Sequence, residues 1–517
     1  NKERYRMAEE KKSRLFALKP IIERWPAVAK PEVHVPFRTK LMWTILCLIL
    51  YFILTNVMIF GISGTVVDMF AGFRAVMAGA SGSIMHLGIG PIVTASIILQ
   101  LFVGAKIINL DLTKAEDKMI YQGTQKILVI VMILVEAIPQ VYGYLRPSEG
   151  LIDAVGGFGA NAIIVAQLFA GAMIVFLMDE LISKWGIGSG ISLFIAAGVS
   201  KAIVTGLINW LPIDPNSSLS VTNPPAGVIP GTYYLASHYS VGGLLGGGFE
   251  QIFIGQANSV LALLGTLTIF FFVVYAESSR IELPLAHGLA RGARGRYPIR
   301  LIYASNIPVI LMSALLANIN MFALLFYTHP TMSKLPIFGH NPLIGVYPEN
   351  ASYPTMGAAW YITRMNGVKD WLLPLFIPGY GDGIHEPYQY ALRFIIYFSL
   401  YVFGSILFAK FWIETTDMGP AAVARQIQQS DMQIPGFRRD PRILRKVLER
   451  YIPAVTVIGG ATVGLLAAFA NAIGTIGRTS GTGVLLTVGI LIRLYEQIAK
   501  EQAIEMHPVL RGFFGVE

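Results

Sequence analysis

The strongest constraint on this chain lies between Gly61 and Gly104. The apolar run there, Pro91 to Gly104 (PIVTASIILQLFVG), falls short of the roughly 20 residues a helix needs to cross a hydrocarbon core. It is entered through Leu87-Gly88-Ile89-Gly90-Pro91. Before that lies a small-residue, half-polar stretch, Val66 to His86 (VVDMFAGFRAVMAGASGSIMH). A helix broken inside a bilayer leaves backbone N–H and C=O groups without partners. Such backbone persists only where protein buries it or water reaches it. The pattern predicts a broken or re-entrant element at a cavity or pore, stoppered or lined by residues 66–86.

Composition agrees with a membrane setting. Hydrophobic residues make up 54% of the chain and charged residues 14%, against about 25% charged in soluble domains. Apolar runs of spanning length recur at Leu41–Phe60, Ile127–Leu145, Ala160–Met178, Ile191–Leu207, Ala257–Ala276, Ile299–Tyr327, Phe394–Trp412, Tyr451–Ile473 and Thr482–Ile498. With the broken element these give about ten transmembrane helices. The fold class expected is an all-α polytopic membrane protein.

A Gly- and Pro-rich loop, 209–256, divides the spans into two sets of five. An N-terminal half (41–208) and a C-terminal half (257–504) then lie between a basic segment (1–40) and a tail (505–517). An odd number of spans per half makes the second enter from the opposite side to the first. Inverted halves of this kind often meet around a central pathway.

Positive charge sets the orientation, because cytoplasmic loops carry the Lys and Arg excess. The first forty residues hold Lys2, Arg4, Arg6, Lys11, Lys12, Arg14, Lys19, Arg24, Lys30, Arg38 and Lys40 without an apolar core. They are not expected to be a cleavable signal peptide, which needs an apolar segment. A solvated tail and a lipid or RNA contact both fit. With the N-terminus inside, the inside connections carry Lys106, Lys114, Lys118, Lys184, Arg280 and Arg291–Arg300, then Arg425 and Arg438–Arg450. Residues 202–279 contain no Lys or Arg, and the long outside segment 328–390 has only Lys334, Arg364 and Lys369. The alternation predicts both termini in the cytoplasm.

Chemistry-bearing residues are sparse. Ionisable groups within spans mark transport pathways. Here Glu136 sits in the third span, Asp179 and Glu180 close the fourth, and Glu414 and Glu496 lie near cytoplasmic ends. Interface positions and helix-end hydrogen bonds account for most such groups, and no Asp/Glu/His relay threads the spans. The chain has no His-Glu-x-x-His, phosphate-binding loop or Gly-x-Ser-x-Gly. Gly379-Tyr380-Gly381-Asp382 mimics an intramembrane aspartyl protease motif, but it lies in a polar outside loop and lacks a partner acid, so it reads as a turn. Gly186-Ile187-Gly188-Ser189-Gly190 follows no strand and is no dinucleotide fingerprint. The one cysteine, Cys47, allows neither an internal disulfide nor a metal site built on thiolates. No cofactor is expected.

Several long strings resemble one family. These are LGIGPIVTASIILQLFVGAKII (Leu87–Ile108), DELISKWGIGSGISLFIAAGVS (Asp179–Ser200), YPIRLIYASNIPVILMSALLANI (Tyr297–Ile319), GFRRD (Gly436–Asp440) and GTGVLLTVGILIRLYEQ (Gly481–Gln497). In order over nearly the whole chain, they are similar to the SecY family, the α subunits of protein-conducting translocons. AHG (Ala286–Gly288) and RYIPAVTV (Arg450–Val457) are closer to its archaeal branch. The outside loops match least.

The resemblance implies an hourglass pore whose waist is a ring of apolar side chains, falling on Ile89, Val93, Ile191, Ile195, Ile310 and Leu486. Such a constriction gates by dewetting. It implies a plug in the broken second helix, with Asp68, Gly72, Arg74 and Gly79. It also implies a lateral gate with Thr94, Gln125 and Asn318, where interhelical hydrogen bonding is the equal alternative. Glycines flank the ring (Gly88, Gly90, Gly188, Gly190, Gly481, Gly483); close helix contact and backbone slack both explain them. Arg291, Arg294, Arg296, Arg438 and Arg439 fall where the family receives the ribosome and its RNA. Clustered arginine suits phosphates, although the orientation rule alone also accounts for these charges.

The reading is a passive, gated conduit for unfolded polypeptide, across the cell membrane or sideways into its lipid. It is driven by partners and is not an enzyme. Implied partners are a SecE-type γ subunit, a small β subunit, the ribosome, and nascent chains with signal sequences. An inverted-repeat secondary transporter for small solutes is the runner-up, distinguished by gradient-dependent uptake. An intramembrane protease comes third, distinguished by peptide-bond cleavage.

Overall fold

Every long apolar run forms a helix. The computed structural model describes residues 14–506 apart from 25–26, 34, 64–76, 106, 109, 111, 113, 144, 215–216, 257, 288–293, 305, 329–331, 336, 338, 349–352, 417, 430–431 and 434–440. The first half comprises α1 (Phe37–Leu54), α2 (Gly90–Gly104), α3 (Ala115–Gly143), α4 (Glu149–Trp185) and α5 (Gly190–Ile208). The second comprises α6 (Val260–Ser278), α7 (Ile307–Thr328), α8 (Pro387–Thr415), α9 (Pro441–Ile473) and α10 (Gly481–Met506). Among the described residues, all of these except α2 are long and apolar enough to cross a membrane.

Helix α2 is the broken element. Its 15 residues span about 22 Å at 1.5 Å per residue, less than a hydrocarbon core of about 30 Å. Pro91 in its first turn needs no N–H partner there and so starts the helix without cost. Helix α4 errs the other way, at 37 residues. It is divided near its N-terminal end by Gly156, whose φ of 77° and ψ of 161° are not helical.

Most helices run past their apolar runs at one or both ends, and two fall well short at one end. Helix α1 stops at Leu54 rather than Phe60, because the Thr55 hydroxyl (2.7 Å) and the Asn56 amide (2.8 Å) both donate to the Phe52 carbonyl. Side-chain bonds of this kind compete with helix continuation. Beyond them the chain pairs with the returning segment, Ile59 N to Gly82 O and Ile84 N to Val57 O, each 2.9 Å. Helix α7 begins at Ile307 rather than Ile299, since Ile299 belongs to a strand.

That strand is part of a small sheet absent from the all-helical expectation. β1 (Arg280–His287) and β2 (Arg294–Arg300) form an antiparallel hairpin in register Arg280 to Arg300. β3 (Met432–Gln433) adds to the other edge of β1, opposite Ala286 and His287, giving the order β2-β1-β3.

The halves meet along two seams. In one, α5 packs on α10 and its lead-in turn. A Cβ placed on Gly206 would lie 2.5 Å from Gly477 N, so only glycine permits that backbone approach. Close contact through small residues is how helices associate where lipid removes the hydrophobic drive. In the other seam, α2 packs against α7 and α8, and α3 against α7. The connection 209–259 runs beside the first seam.

Candidate pore waist and lateral seam

Helices α2, α5, α7 and α10 and the break before α2 supply the six ring candidates. Ile89, Ile195 and Leu486 are fully buried, Val93 and Ile310 nearly so, and all five belong to one continuous apolar cluster that draws on both halves. Ile191 is half-buried against the same cluster. Its N–H is held at 2.9 Å by Asp179 Oδ1, a helix-end bond of the kind expected for that carboxylate. Side chains turned outward look different: Phe271 on α6 is 68% exposed and Phe272 is 59% exposed. The ring candidates therefore face the interior of the bundle.

The break itself is rigidly built. Gly88 has φ +54°, and a Cβ there would sit 2.1 Å from the Met77 carbonyl oxygen. Ile89 N donates to that same oxygen at 2.8 Å. The next residue, Ala78, takes a positive φ of 53°, and its carbonyl accepts the Tyr51 hydroxyl of α1 at 2.9 Å. Ser83 closes the following turn by donating to Ala80 O at 2.8 Å. His86 is buried with its Nδ1 accepting from Gly82 N at 3.0 Å. Gly79 lies within this hydrogen-bonded stretch, against Gly88. Of the other plug candidates, Asp68, Gly72 and Arg74 lie outside the described residues.

Polar side chains meet across the second seam. Asn318 Nδ2 on α7 donates to Thr94 Oγ1 on α2 at 3.0 Å. That hydroxyl donates in turn to Glu136 Oε1 on α3 at 2.7 Å. Gln125 does not join them: its amide donates to Ser96 Oγ at 2.6 Å, linking α3 to α2 within the same half. Glu136 lies in the third span, as the sequence places it, but its part in the seam was not read from the sequence. Unlike the interface and helix-end charges, it is 5% exposed and mid-helix, between Val135 and Ala137. The available signal was its depth, with apolar residues from Ile127 to Val135 on one side and Ala137-Ile138 on the other.

The basic loops are joined through the sheet. Arg294 and Arg296 lie on β2, in register with Ala286 and Pro284 of β1. β3 ties the segment before Gly436 to the other edge of β1. Arg300, at the base of the hairpin, pairs with Glu496 of α10 at 2.7 Å. Arg291, Arg438 and Arg439 lie outside the described residues.

The protease-like tetrapeptide is a turn. Asp382 Oδ1 accepts from Ile384 N and His385 N, each at 3.0 Å, and Oδ2 pairs with His385 Nδ1 at 2.7 Å. Partial burial raises its pKa, but these bonds and Tyr390 outweigh it and hold the carboxyl down at about 2. The acid is thus committed to local structure. Among the described residues, no group of His, Cys, Asp and Glu is arranged to hold a metal ion.

Comparison with known proteins agrees with this architecture. The SecY family pattern matches residues 83–495, and that of the plug domain of Sec61p matches residues 49–82. The protein translocase subunit SecY of Haloferax volcanii is 46% identical over 507 residues, covering 97% of this chain and 99% of its own. That of Archaeoglobus fulgidus is 46% identical over 506 residues, with the same coverage. A solved protein-conducting channel superposes with a TM-score of 0.76 at 34% identity, covering 95% of this chain and 98% of the other. Sec61 in the canine ribosome–channel complex of the endoplasmic reticulum gives 0.74 at 34% identity, with the same coverage. The inverted-repeat transporter is not favoured, and this multi-pass chain belongs to the SecY family of protein translocation channels rather than to a catalytic family.

Proposed function

We propose that Ile89, Val93, Ile191, Ile195, Ile310 and Leu486 form the constriction through which an unfolded polypeptide is threaded. The observation that carries this reading is the burial of five of them, from four separate helices, in one interior cluster. Branched apolar side chains conform to varied polypeptide, give ions no ligand, and resist wetting while the gap is narrow. Residues 66–86 act as the plug. Within them, 77–86 form the fixed, hydrogen-bonded end.

The seam of α2 and α3 against α7 and α8 is the side exit for signal sequences and membrane segments. Thr94, Asn318 and Glu136 close it, and Gln125 stiffens one wall. The halves 41–208 and 257–504 part at this seam and stay joined beside 209–256. Arg291, Arg294, Arg296, Arg438 and Arg439 receive the ribosome through its RNA phosphates. A SecE-type γ subunit and a small β subunit complete the complex in the cell membrane, with both termini of this chain cytoplasmic.

A stalled nascent chain tests the pathway. A photo-crosslinking residue at Ile89 or Ile310 should capture it, and one at Phe271 should not. Equal capture at all three positions contradicts the assignment.

A further inference from the structure

The outer face holds a cavity of about 320 Å³ beside the seam of α5 and α10, a volume within the range of small-ligand sites. Thr205, Gly206 and Asn209 of the first half line it, as does Gly477 of the second. The loop contributes apolar walls from Leu211, Ile213, Leu235 and Ile252. Pro212 and Pro225 also line it and have no N–H, and the N–H groups of Ala226, Gly227, Gly231 and Gly477 are already bonded within the protein, so donors for an occupant come mainly from side chains. Asn258 is spent on structure: its Oδ1 accepts from Gly477 N at 2.7 Å and its Nδ2 donates to Ala226 O at 2.6 Å.

Three groups remain unspent. Asn209 uses its Oδ1 for Leu211 N at 3.0 Å, which leaves its Nδ2 uncommitted. The Gln256 amide and the Thr232 hydroxyl, also in the lining, have no hydrogen-bond partner among the described residues. Together they present donors and acceptors of the kind a peptide backbone satisfies. No ionisable side chain is among the lining residues, so a charged ligand would lose water without gaining a counter-charge.

We propose that this cavity binds a short uncharged peptide segment, with Asn209, Thr232 and Gln256 as its hydrogen-bonding groups. Because both halves contribute walls, an occupant favours their present spacing by as much as its affinity for that spacing exceeds its affinity for any other. That consequence rests on the gated-channel reading; the binding itself does not.

The test uses Cys47→Ala with Ile213→Cys, purified in nanodiscs of phosphatidylethanolamine and phosphatidylglycerol. The readout is the rate at which N-ethylmaleimide labels the new cysteine. N-acetyl-Ala-Ile-Ala-amide should slow labelling saturably, by about fivefold at four times its Kd, because labelling tracks the unoccupied fraction. The same peptide with Asp in place of both Ala should not protect. Asn209→Ala with Gln256→Ala should raise the neutral peptide concentration required by roughly tenfold, the scale of a lost hydrogen bond. Leu211→Cys, also in the lining, serves as a second reporter should Ile213→Cys fold poorly. No protection at either reporter overturns the proposal. So does equal protection by the acidic peptide, or protection unchanged by the double alanine variant. Translocation is not measured, so failure here leaves the channel assignment untouched.

Discussion

Asn318 of α7 reaches across the seam between the halves and donates its side-chain amide to Thr94 of α2 at 3.0 Å. Thr94 passes the contact on to the buried carboxyl group of Glu136 at 2.7 Å. A seam held by polar bonds, rather than by apolar packing alone, can be tuned by single substitutions.

Thr94→Val keeps the shape and removes the hydroxyl, leaving Asn318 and Glu136 without their shared partner. Interhelical hydrogen bonds in membranes are worth about 0.6–2 kcal/mol, so the open seam should gain population roughly 3- to 30-fold. Disulfide trapping between cysteines placed on α2 and α7 would report this as slower cross-linking. Substrates with weakened signal sequences should translocate better. Unchanged trapping and unchanged substrate tolerance would show that the bond does not hold the seam.

Gly88→Ala tests the break. The new Cβ meets the Met77 carbonyl at 2.1 Å on a backbone of φ +54°. Strain of this kind costs about 1–3 kcal/mol or more, and it falls where the plug segment is fastened to α2. The expected outcome is a lowered thermal midpoint together with a leaky resting channel. Gly150→Ala, where no atom lies within 4 Å of the added Cβ, should leave both unchanged.

Much of this arrangement is legible in the residues. Gly88 and Pro91 mark the break because backbone freedom and a missing N–H are local properties. The span ends are less legible: the Thr55 and Asn56 bonds that stop α1 depend on rotamers that hydropathy does not encode. The pairing of β3 with β1 joins positions about 145 residues apart in sequence, and no local periodicity carries a long-range pairing. Gln125 and Glu136 show the same limit on one helix. Both are polar residues of α3, and only its rotation against α2 gives one to Ser96 and the other to Thr94.

The loop before α8 should respond to acid. Asp382, held at about 2, has a folded pKa below its ordinary value. Its contribution to loop stability is therefore present above the ordinary carboxylate range and is lost as pH falls through the folded value. His385, which Asp382 grips, stacks on Trp360 with ring centroids 3.7 Å apart. Tryptophan emission followed between pH 5 and 2 should show a transition in that window. Asp382→Asn should shift the emission at neutral pH and abolish the transition. A profile identical in both proteins would remove Asp382 from the account.

Charge reversal at Arg294 and Arg296, or at Arg438 and Arg439, should weaken ribosome binding while leaving conductance intact. Each lost phosphate contact lowers the log–log salt slope by roughly 0.7–0.9, so the deficit should shrink as salt rises. Arginines that act only through orientation would disturb insertion without changing affinity in correctly inserted protein. Wild-type affinity in the Arg438/Arg439 reversal would withdraw the docking role from that loop.

The ring is tested most directly by single-channel conductance of the resting protein in planar bilayers. Replacing Ile89, Ile195 and Leu486 together with Ser should make the gap easier to wet and raise the resting ion leak well above wild type. The same triple exchange at the outward-facing Phe270, Phe271 and Phe272 should not. A ring variant as tight as wild type, in protein that still folds and inserts, would contradict the claim that these residues seal the pore.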